Sequence, residues 1–284
     1  MQTVLVTPSW LPDLERCRFL VESARRLTLG FSAHYLVVDA KDAPAFSALT
    51  GDGVHLLIKE DFLPPWLHHV PLSRKWWCST RTLPVRGWIV QQVVKLAVAA
   101  REEWDAVCFA DSDLIFVEEF AASNLWRTGA LRLYRDDRKP HFYADRRYRN
   151  WYASAARMLG LGNPAALPGA YITQLITMRS DSVRRMCTHI ESQTGRPWMT
   201  TLLRALDFSE YIVYGAYVEH VDESRGHFMD ASQPCHSSWF FDVKDEVSLR
   251  SFLATKTPEQ VALLVQSNLG IPVEQVRALL DDLS

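Results

Sequence analysis

The segment Asp105-Ala-Val-Cys-Phe-Ala-Asp111-Ser-Asp113-Leu-Ile-Phe-Val117 decides the predicted fold and places its candidate site. Residues 107–110 form an unbroken apolar run, which is typical of a strand buried on both faces. Asp111 and Asp113 follow at the end of that run, and side chains two residues apart in an extended segment point to the same side. Two like charges held together at the rim of a core are unfavourable unless a cation neutralises them. The spacing predicts a divalent metal bound with a phosphate-bearing ligand, although many Asp-x-Asp triplets are only turn residues or helix caps.

The first part of the chain alternates between two types of element. Apolar runs at 3–7, 34–39 and 54–58 predict buried strands, and the segments 13–29 and 43–49 between them have a helical pattern. This alternation predicts an α/β sandwich with a mostly parallel central sheet.

In such a sheet the ligand lies beyond the carboxyl ends of the strands. Thr7, Asp39 and the pair Asp111 and Asp113 all stand at such ends. We therefore expect these residues to converge on one crevice although they are far apart in sequence.

Two segments lead from the third strand to the carboxylate strand. Residues 63–86 are rich in Pro, Trp and basic residues and predict an ordered loop over the ligand-binding edge of the sheet. Residues 88–100 predict an amphipathic helix with Gln91, Gln92 and Lys95 on one side. That side is either solvated, or it allows Lys95 to reach a phosphate.

Beyond Val117, the patterns predict two further strands, two further helices and one charged, aromatic loop that is mobile or faces an acceptor. The strands are 131–134 and 171–178, the helices 151–161 and 180–194, and the loop 136–149.

Two later features could complete a site around the paired aspartates. Glu210 stands among aromatic residues, a setting that either raises the pKa of a carboxyl or supplies it with a partner. The alternative is a capping box formed by Ser209 or Glu210. The pair of carboxylates lacks a nitrogen ligand, for which His236 is the first candidate and His227 the second.

Composition excludes several classes of protein. The 284 residues are 48% hydrophobic with a net charge of −2, which predicts a globular chain and no bulk attraction to nucleic acid. The five cysteines are scattered without a Cys-x-x-Cys pair, which favours reduced thiols and a cytoplasmic location. No signal peptide and no membrane-spanning run are recognised in the sequence.

The chain is predicted to be one catalytic domain with a tail. Residues 1–117 would form a nucleotide-binding half and 118–250 an acceptor-side half. Residues 251–284 predict a pair of amphipathic helices broken at Gly270-Ile-Pro272. This tail is expected to pack on the core or on a partner, and could support a homo-oligomer.

Three motifs in this order resemble a known group of proteins. Arg86-Gly87-Trp88 with Gln91-Gln92-x-x-Lys95-Leu96, then Asp111-Ser-Asp113, then Ser209-Glu210-Tyr211-x-x-Tyr214-Gly215 are similar to bacterial glycosyltransferases of the GT-A fold. More narrowly, they resemble a glycosyltransferase-like family described as a domain of unknown function. The likeness spans roughly residues 3 to 240 and leaves the tail outside.

The resemblance implies a GT-A-like, Rossmann-like α/β/α sandwich that transfers a sugar from a UDP- or GDP-sugar to a hydroxyl-bearing acceptor. It implies Mn²⁺ or Mg²⁺ held by Asp111, Asp113 and His236, with Glu210 and Asp113 as the catalytic residues. The donor would contact Thr7, Pro8, Asp39, Arg86, Gln91, Lys95, Asp111 and Ser112. The acceptor side would comprise Tyr171, Gln174, Tyr211 and Tyr214.

The reaction course and two other functions stay open at this point. In an inverting enzyme Glu210 would deprotonate the acceptor, whereas in a retaining one it would position acceptor or donor. An aspartyl-phosphate phosphatase also uses Asp-x-Asp at a strand end, but at the first strand and with Thr or Val where this chain has Ile115. The third possibility is a nucleotide- or carbohydrate-binding module without turnover.

Overall fold

A computed structural model describes residues 1–70, 73, 75–101, 103–137, 145–164, 167 and 169–283. The strands are β1 (Thr3–Pro8), β2 (Thr28–Leu29), β3 (His34–Val38), β4 (Val54–Ile58), β5 (Leu67–His69), β6 (Trp76–Ser79), β7 (Val85–Arg86), β8 (Ala106–Phe109), β9 (Leu114–Phe116), β10 (Phe120–Ala121), β11 (Trp126–Arg127), β12 (Ala130–Tyr134), β13 (Ile176–Arg179), β14 (His227–Asp230), β15 (Cys235–Ser237) and β16 (Ala262–Leu264). The α-helices are α1 (Leu14–Leu27), α2 (Ala43–Phe46), α3 (Gly87–Ala99), α4 (Arg146–Leu159), α5 (Ser180–Thr194), α6 (Trp198–Arg204), α7 (Glu210–His220), α8 (Glu246–Ala254) and α9 (Val273–Leu283).

The central sheet has five strands in the order β13-β8-β1-β3-β4. β8, β1, β3 and β4 are parallel, and β13 is antiparallel to β8 at the edge. The apolar runs of β1 and β8 are buried throughout, as expected for strands covered on both faces. The predicted α/β class with a central, mostly parallel sheet is therefore confirmed.

Alternate residues of β8 pack into different layers. Val107 and Phe109 belong to the cluster formed with α3, α4, α5 and α7. Ala106 and Cys108 face the opposite cluster, which includes Leu20 of α1 and Leu264 of β16. The period of two along the strand thus provides a core on each face of the sheet.

The carboxyl ends of β1 and β8 border the crevice of this sheet. From β1 the chain proceeds outward to β3 and β4, and it then returns to pair β8 with the other side of β1. Such a reversal of strand order opens a cleft between the loops that leave the two neighbouring strands. Pro8 at the end of β1 and Asp111 beyond β8 both face this cleft.

The tail differs from the predicted pair of helices. The second helix is present as α9, but Ala262–Leu264 is the strand β16, which pairs with β9 and β15. Every residue of β16 is buried, because it is the middle strand of its sheet. Three apolar residues fit a short helix or a short strand equally well, and only their distant partners decide between them. The domain division at residue 250 stays a prediction.

Two other segments also depart from the predictions. The predicted loop 63–86 contains an antiparallel sheet of β5, β6 and β7, with residues 71, 72 and 74 outside the described part. The predicted strand 171–178 begins only at Ile176, after an irregular turn in which Leu175 has φ +54°. Residues 138–144 of the predicted loop 136–149 lie outside the described residues.

Candidate active site

A small polar cavity of about 210 Å³ lies at the carboxyl ends of β1 and β8. Its walls come from the loop after β1, from α3, from the segment after β8 and from the first residue of α7. The lining residues are Pro8, Asp13, Trp88, Gln91, Gln92, Lys95, Asp111, Ser112, Asp113 and Glu210. Asp111 and Asp113 therefore line one cavity together with Lys95 and Glu210.

Lys95 is the centre of this cavity. Its ammonium lies 3.1 Å from Oδ1 of Asp111, 3.3 Å from Oε1 of Glu210 and 2.7 Å from the hydroxyl of Tyr211. The side chains of Lys95 and Glu210 are each only 6% exposed, whereas that of Asp111 is 34% exposed. One buried cation thus connects a residue after β8 with the start of α7.

The helix α3 brings Lys95 to this position because most of its surface is buried between the sheet and other helices. One turn earlier on α3, Gln92 accepts a hydrogen bond at Oε1 from the backbone N–H of Glu210, at 2.9 Å. This contact satisfies a free N–H at the start of α7. The side chain of Ser209 makes no cap hydrogen bond, so the form of the alternative in which Ser209 caps the helix is wrong.

The charges of the cluster depend on one another. Burial raises the pKa of Glu210, and the nearby Lys95 opposes that rise. Burial alone would lower the pKa of Lys95, but Asp111, Tyr211 and Glu210 outweigh it and raise the pKa well above its ordinary value. Lys95 therefore remains an ammonium, and it favours the carboxylate form of Glu210.

Asp113 lies in a less compensated environment. Its Oδ2 accepts a hydrogen bond from the backbone N–H of Ser267 at 3.1 Å. Burial and the neighbouring charge of Asp111 raise the pKa of Asp113 to about 7. An additional positive charge beside these two carboxylates would stabilise both, so the pair suits a divalent cation that takes its other ligands from water or phosphate oxygens. No group of three or more His, Cys, Asp or Glu suited to a metal occurs within the described ranges.

The predicted histidine ligands lie elsewhere. Nε2 of His236 is 2.9 Å from the carbonyl oxygen of Phe252, and its ring stacks on the Phe252 ring with 4.3 Å between centroids. His227 places Nε2 at 2.7 Å from the hydroxyl of Tyr214 and Nδ1 at 2.8 Å from the carbonyl of Arg225. Within the described residues no metal-suited group joins either histidine to Asp113, so the structure does not bring them to the predicted position at the metal. Their ring nitrogens make the hydrogen bonds given above instead.

A larger cavity of about 620 Å³ adjoins the first one. At one side of this cavity Asp39 forms an ion pair with Lys59. The Nζ atom of Lys59 lies 2.5 Å from Oδ1 of Asp39. Further walls are formed by Trp10, His69, Lys75, Trp76 and Trp77. Among the predicted donor-binding residues, this cavity contacts Pro8, Asp39, Arg86, Gln91 and Ser112.

Thr7 is the exception among the predicted donor-binding residues. It is fully buried, and its hydroxyl lies 2.8 Å from Nε2 of His34 on the neighbouring strand. It belongs to the sheet interior, whereas Pro8, the next residue, lines both cavities. Of the two predicted residues only Pro8 reaches the cavities, because successive residues of β1 face opposite sides of the sheet.

The predicted acceptor-side residues are not together. Tyr171 donates to Oε2 of Glu219 at 2.6 Å, and Tyr214 accepts from the backbone N–H of Arg179 at 2.8 Å; both side chains are almost fully buried. Neither tyrosine lines one of the two cavities, and their acceptor-side role stays a prediction. Tyr211 belongs to the Lys95 cluster, and Gln174 lies in the irregular segment before β13, outside both cavities.

Two residues that sequence reasoning missed stand in the loop after β1. Asp13 accepts hydrogen bonds at Oδ2 from Trp10 Nε1 at 2.7 Å and from Ser112 Oγ at 3.5 Å, and it lines both cavities. Trp10 is 42% exposed at the wall of the larger one. Their position in the sequence could have indicated them, because the segment directly after the first strand lies at the ligand-binding edge of the sheet.

Family comparison places the whole arrangement in a group without an assigned activity. The family of unknown function DUF6492 matches residues 5–284. The chain belongs to the DUF6492 family. The match includes the tail, so DUF6492 extends beyond the 3–240 range of the sequence resemblance.

Other comparisons add little about this DUF6492 protein. No curated protein sequence matches it. Among solved structures it is similar to mouse xyloside xylosyltransferase 1 in the apo form, with 11% sequence identity, a TM-score of 0.47, and coverage of 96% of this chain and 100% of that chain. A likeness at this level does not establish a shared activity. Within the described residues, no helix is long and apolar enough to cross a membrane.

Proposed function

We propose that this protein is a metal-dependent glycosyltransferase that moves a sugar from a nucleoside diphosphate to a hydroxyl-bearing acceptor. The observation that carries the proposal is the position of Lys95 between Asp111 and Glu210 in one cavity. A carboxylate pair suited to a cation and a separate buried carboxylate thereby flank the same space. Sugar transfer needs these two parts, one for the diphosphate leaving group and one for the acceptor.

The donor is assigned to the two adjoining cavities. The larger one has aromatic walls and several cationic side chains, among them Lys59, Lys75 and Arg86, which suits a nucleoside and its diphosphate. The cavities share five lining residues, namely Pro8, Asp13, Trp88, Gln91 and Ser112. A nucleotide in the larger cavity would therefore extend its diphosphate towards Asp111 and Asp113.

The metal proposed here is Mg²⁺ or Mn²⁺. It would be held by Asp111 and Asp113, and a bound cation would offset the negative charge that develops on the departing diphosphate. Two carboxylates are enough for such an ion, because it commonly takes its remaining ligands from water and substrate phosphates. His236 and His227 have no part in this set.

Glu210 is the proposed acceptor-side carboxylate. Lys95 holds its carboxyl group at the cavity wall and favours its charged form, as a proton acceptor requires. In an inverting course Glu210 takes the acceptor proton, and in a retaining course it positions the substrates. Lys95 is a positioning residue in both cases.

A panel of nucleotide sugars tests the proposal. UDP- and GDP-sugars are incubated with the protein, with and without Mn²⁺, and release of the nucleoside diphosphate is measured. Metal-dependent release from one donor class supports the transferase. Turnover of phosphomonoesters without any effect of nucleotide sugars would instead support the phosphatase, and metal-dependent binding without turnover would support the silent module.

A further inference from the structure

An open groove lies beside the candidate site and extends beyond the two donor cavities. It has a volume of about 970 Å³ and runs between the β6–β7 region and the start of α4. Its main contributors are Trp76, Leu83, Arg86, Trp88, Arg146 and Arg147. We call this surface the α4 groove.

The α4 groove is continuous with the candidate active site. Trp88 lines the groove, the larger cavity and the small carboxylate cavity. Trp76 and Arg86 line the groove and the larger cavity. A molecule lying in the groove would therefore reach the Glu210 cavity past Trp88.

Apolar side chains are unusually exposed along this groove. Trp76 is 40% exposed, Trp88 46% and Leu83 67%. Flat indole rings bind the C–H faces of sugar rings well, and exposed apolar surface beside a site commonly marks a ligand. Leu206, also in the groove, is 47% exposed and has φ +56°, a backbone strain of the kind found near binding sites.

The charges of the groove favour an anion. Among the residues that the structure describes, neither Arg146 nor Arg147 forms a salt bridge, and both are exposed. The two carboxylates in the groove have other donors. Asp145 accepts from the backbone N–H of Arg147 at 2.7 Å, and Asp207 accepts from Trp151 Nε1 at 2.6 Å. The guanidinium groups thus remain available for a bidentate contact with a carboxylate or sulfate.

We propose that the α4 groove binds the acceptor and that the acceptor is an acidic glycan, with sugar rings on Trp76 and Trp88 and an acidic substituent on Arg146 and Arg147. The role of this glycan as the acceptor rests on the proposed transferase function, whereas the preference for an acidic glycan rests on the groove alone. The acidic group is a uronate carboxylate or a sulfate, since both present the planar or multidentate oxygens that arginine recognises.

The test is calorimetric binding of three oligosaccharides of equal length: an oligouronate, a sulfated oligosaccharide and a neutral glucan. At least one acidic ligand should bind about tenfold or more tightly than the neutral one, because a hydrogen bond between two charged groups is roughly twice as strong as one between neutral groups. The acidic oligosaccharide that binds more tightly shows whether the recognised group is a carboxylate or a sulfate. The preference should weaken as salt is raised.

Matched variants locate the binding. The double substitution Arg146→Ala with Arg147→Ala should abolish the preference for the acidic ligand and leave binding of UDP or GDP unchanged. The control is Arg157→Ala with Arg196→Ala, which removes two exposed arginines outside the groove and should retain the preference. Equal thermal midpoints of both double variants verify folding.

The outcomes separate this proposal from the previous one. Equal binding of acidic and neutral ligands, or a preference that survives in the Arg146 and Arg147 variant, would overturn the acidic-glycan assignment. An Arg146- and Arg147-dependent preference without any nucleotide binding would support the groove's ligand class while the transferase proposal fails. Nucleotide binding without an acidic preference would leave the transferase and overturn the inference.

Discussion

The ammonium of Lys95 lies 3.3 Å from Oε1 of Glu210, although the two residues belong to helices that are far apart in sequence. The same ammonium lies 3.1 Å from Asp111. Lys95 therefore holds Asp111 on one side of the candidate site close to Glu210 on the other, and its positive charge offsets their negative charges.

Replacing Lys95 should destabilise the fold as well as the site. Lys95→Met keeps the length of the side chain but leaves the buried Glu210 without its cation. Removing one partner of a buried ion pair typically costs about 3–5 kcal/mol. Urea denaturation at pH 7 should show a loss of that order. The exposed pair of Lys244 and Asp242 supplies the control, and Lys244→Met should leave the midpoint unchanged; equal effects of the two variants would contradict the account.

Glu210→Gln should separate donor binding from transfer. The amide keeps the size of the side chain but cannot accept the acceptor's proton, so transfer should fall about 10²–10⁴-fold if the reaction inverts. Metal-dependent nucleotide binding should persist. Glu118→Gln, at an exposed ion pair with Lys256, serves as control and should retain full transfer. Loss of donor binding in Glu210→Gln would assign Glu210 to the donor site or to the fold.

His34 should make stability depend on pH. Burial lowers the pKa of His34 to about 3, below the ordinary value of 6.5, so between these values the unfolded chain binds more protons than the folded one. The contribution of neutral His34 to the free energy of unfolding is fully present above pH 6.5. It is lost as pH falls towards 3, by up to about 1.4 kcal/mol per pH unit.

His34→Gln removes this pH-dependent contribution. The unfolding free energy of the wild type minus that of the variant should therefore increase from pH 4 to pH 7 and then level off. Urea denaturation at several pH values measures it. His227, with its pKa lowered to about 4 by burial, acts in the same direction in both proteins and does not affect the difference. A difference independent of pH would refute the assignment.

Gly215 of α7 tests the packing that supports Glu210. A Cβ at this position would lie 2.3 Å from Cδ1 of Tyr171, whose ring is buried. Gly215→Ala should therefore destabilise the protein by about 1–3 kcal/mol despite the better helix propensity of alanine. Gly162→Ala is the matched control, because no atom lies within 4 Å of its added Cβ. Similar thermal midpoints for the two variants would show that α7 can move away from Tyr171.

Local patterns were sufficient for the elements that border the site. The apolar runs of β1, β3 and β8 were predictable because strands buried on both faces leave unbroken apolar stretches. The strand ends then placed Asp39, Asp111 and Asp113 at one edge of the sheet. Lys95 on a helical pattern and Glu210 among aromatic residues were candidates from the sequence itself as well as from the motif order, and the structure places Lys95 between Asp111 and Glu210.

Long-range packing explains what the sequence did not reveal. β16 is a strand because β9 and β15 supply its hydrogen bonds, and no periodicity in three apolar residues encodes those partners. The lack of a nitrogen ligand beside the two aspartates and the resemblance both favour His236, but its ring stacks on Phe252 of α8. The sequence pattern predicts only that Asp13 begins a helix, because its contacts with Trp10 and Ser112 depend on the folded loop.

Binding of UDP and GDP measured by calorimetry, with and without Mn²⁺, tests the central claim most directly. Wild type should bind one of them about tenfold or more tightly with Mn²⁺. Asp113→Asn should lose this enhancement. The control, Asp105→Asn, alters a carboxylate at the opposite end of β8, where its Oδ2 accepts from the N–H of Gln2, and should retain it. Metal-enhanced binding that persists in Asp113→Asn would contradict the assignment of Asp111 and Asp113 to a metal–diphosphate site.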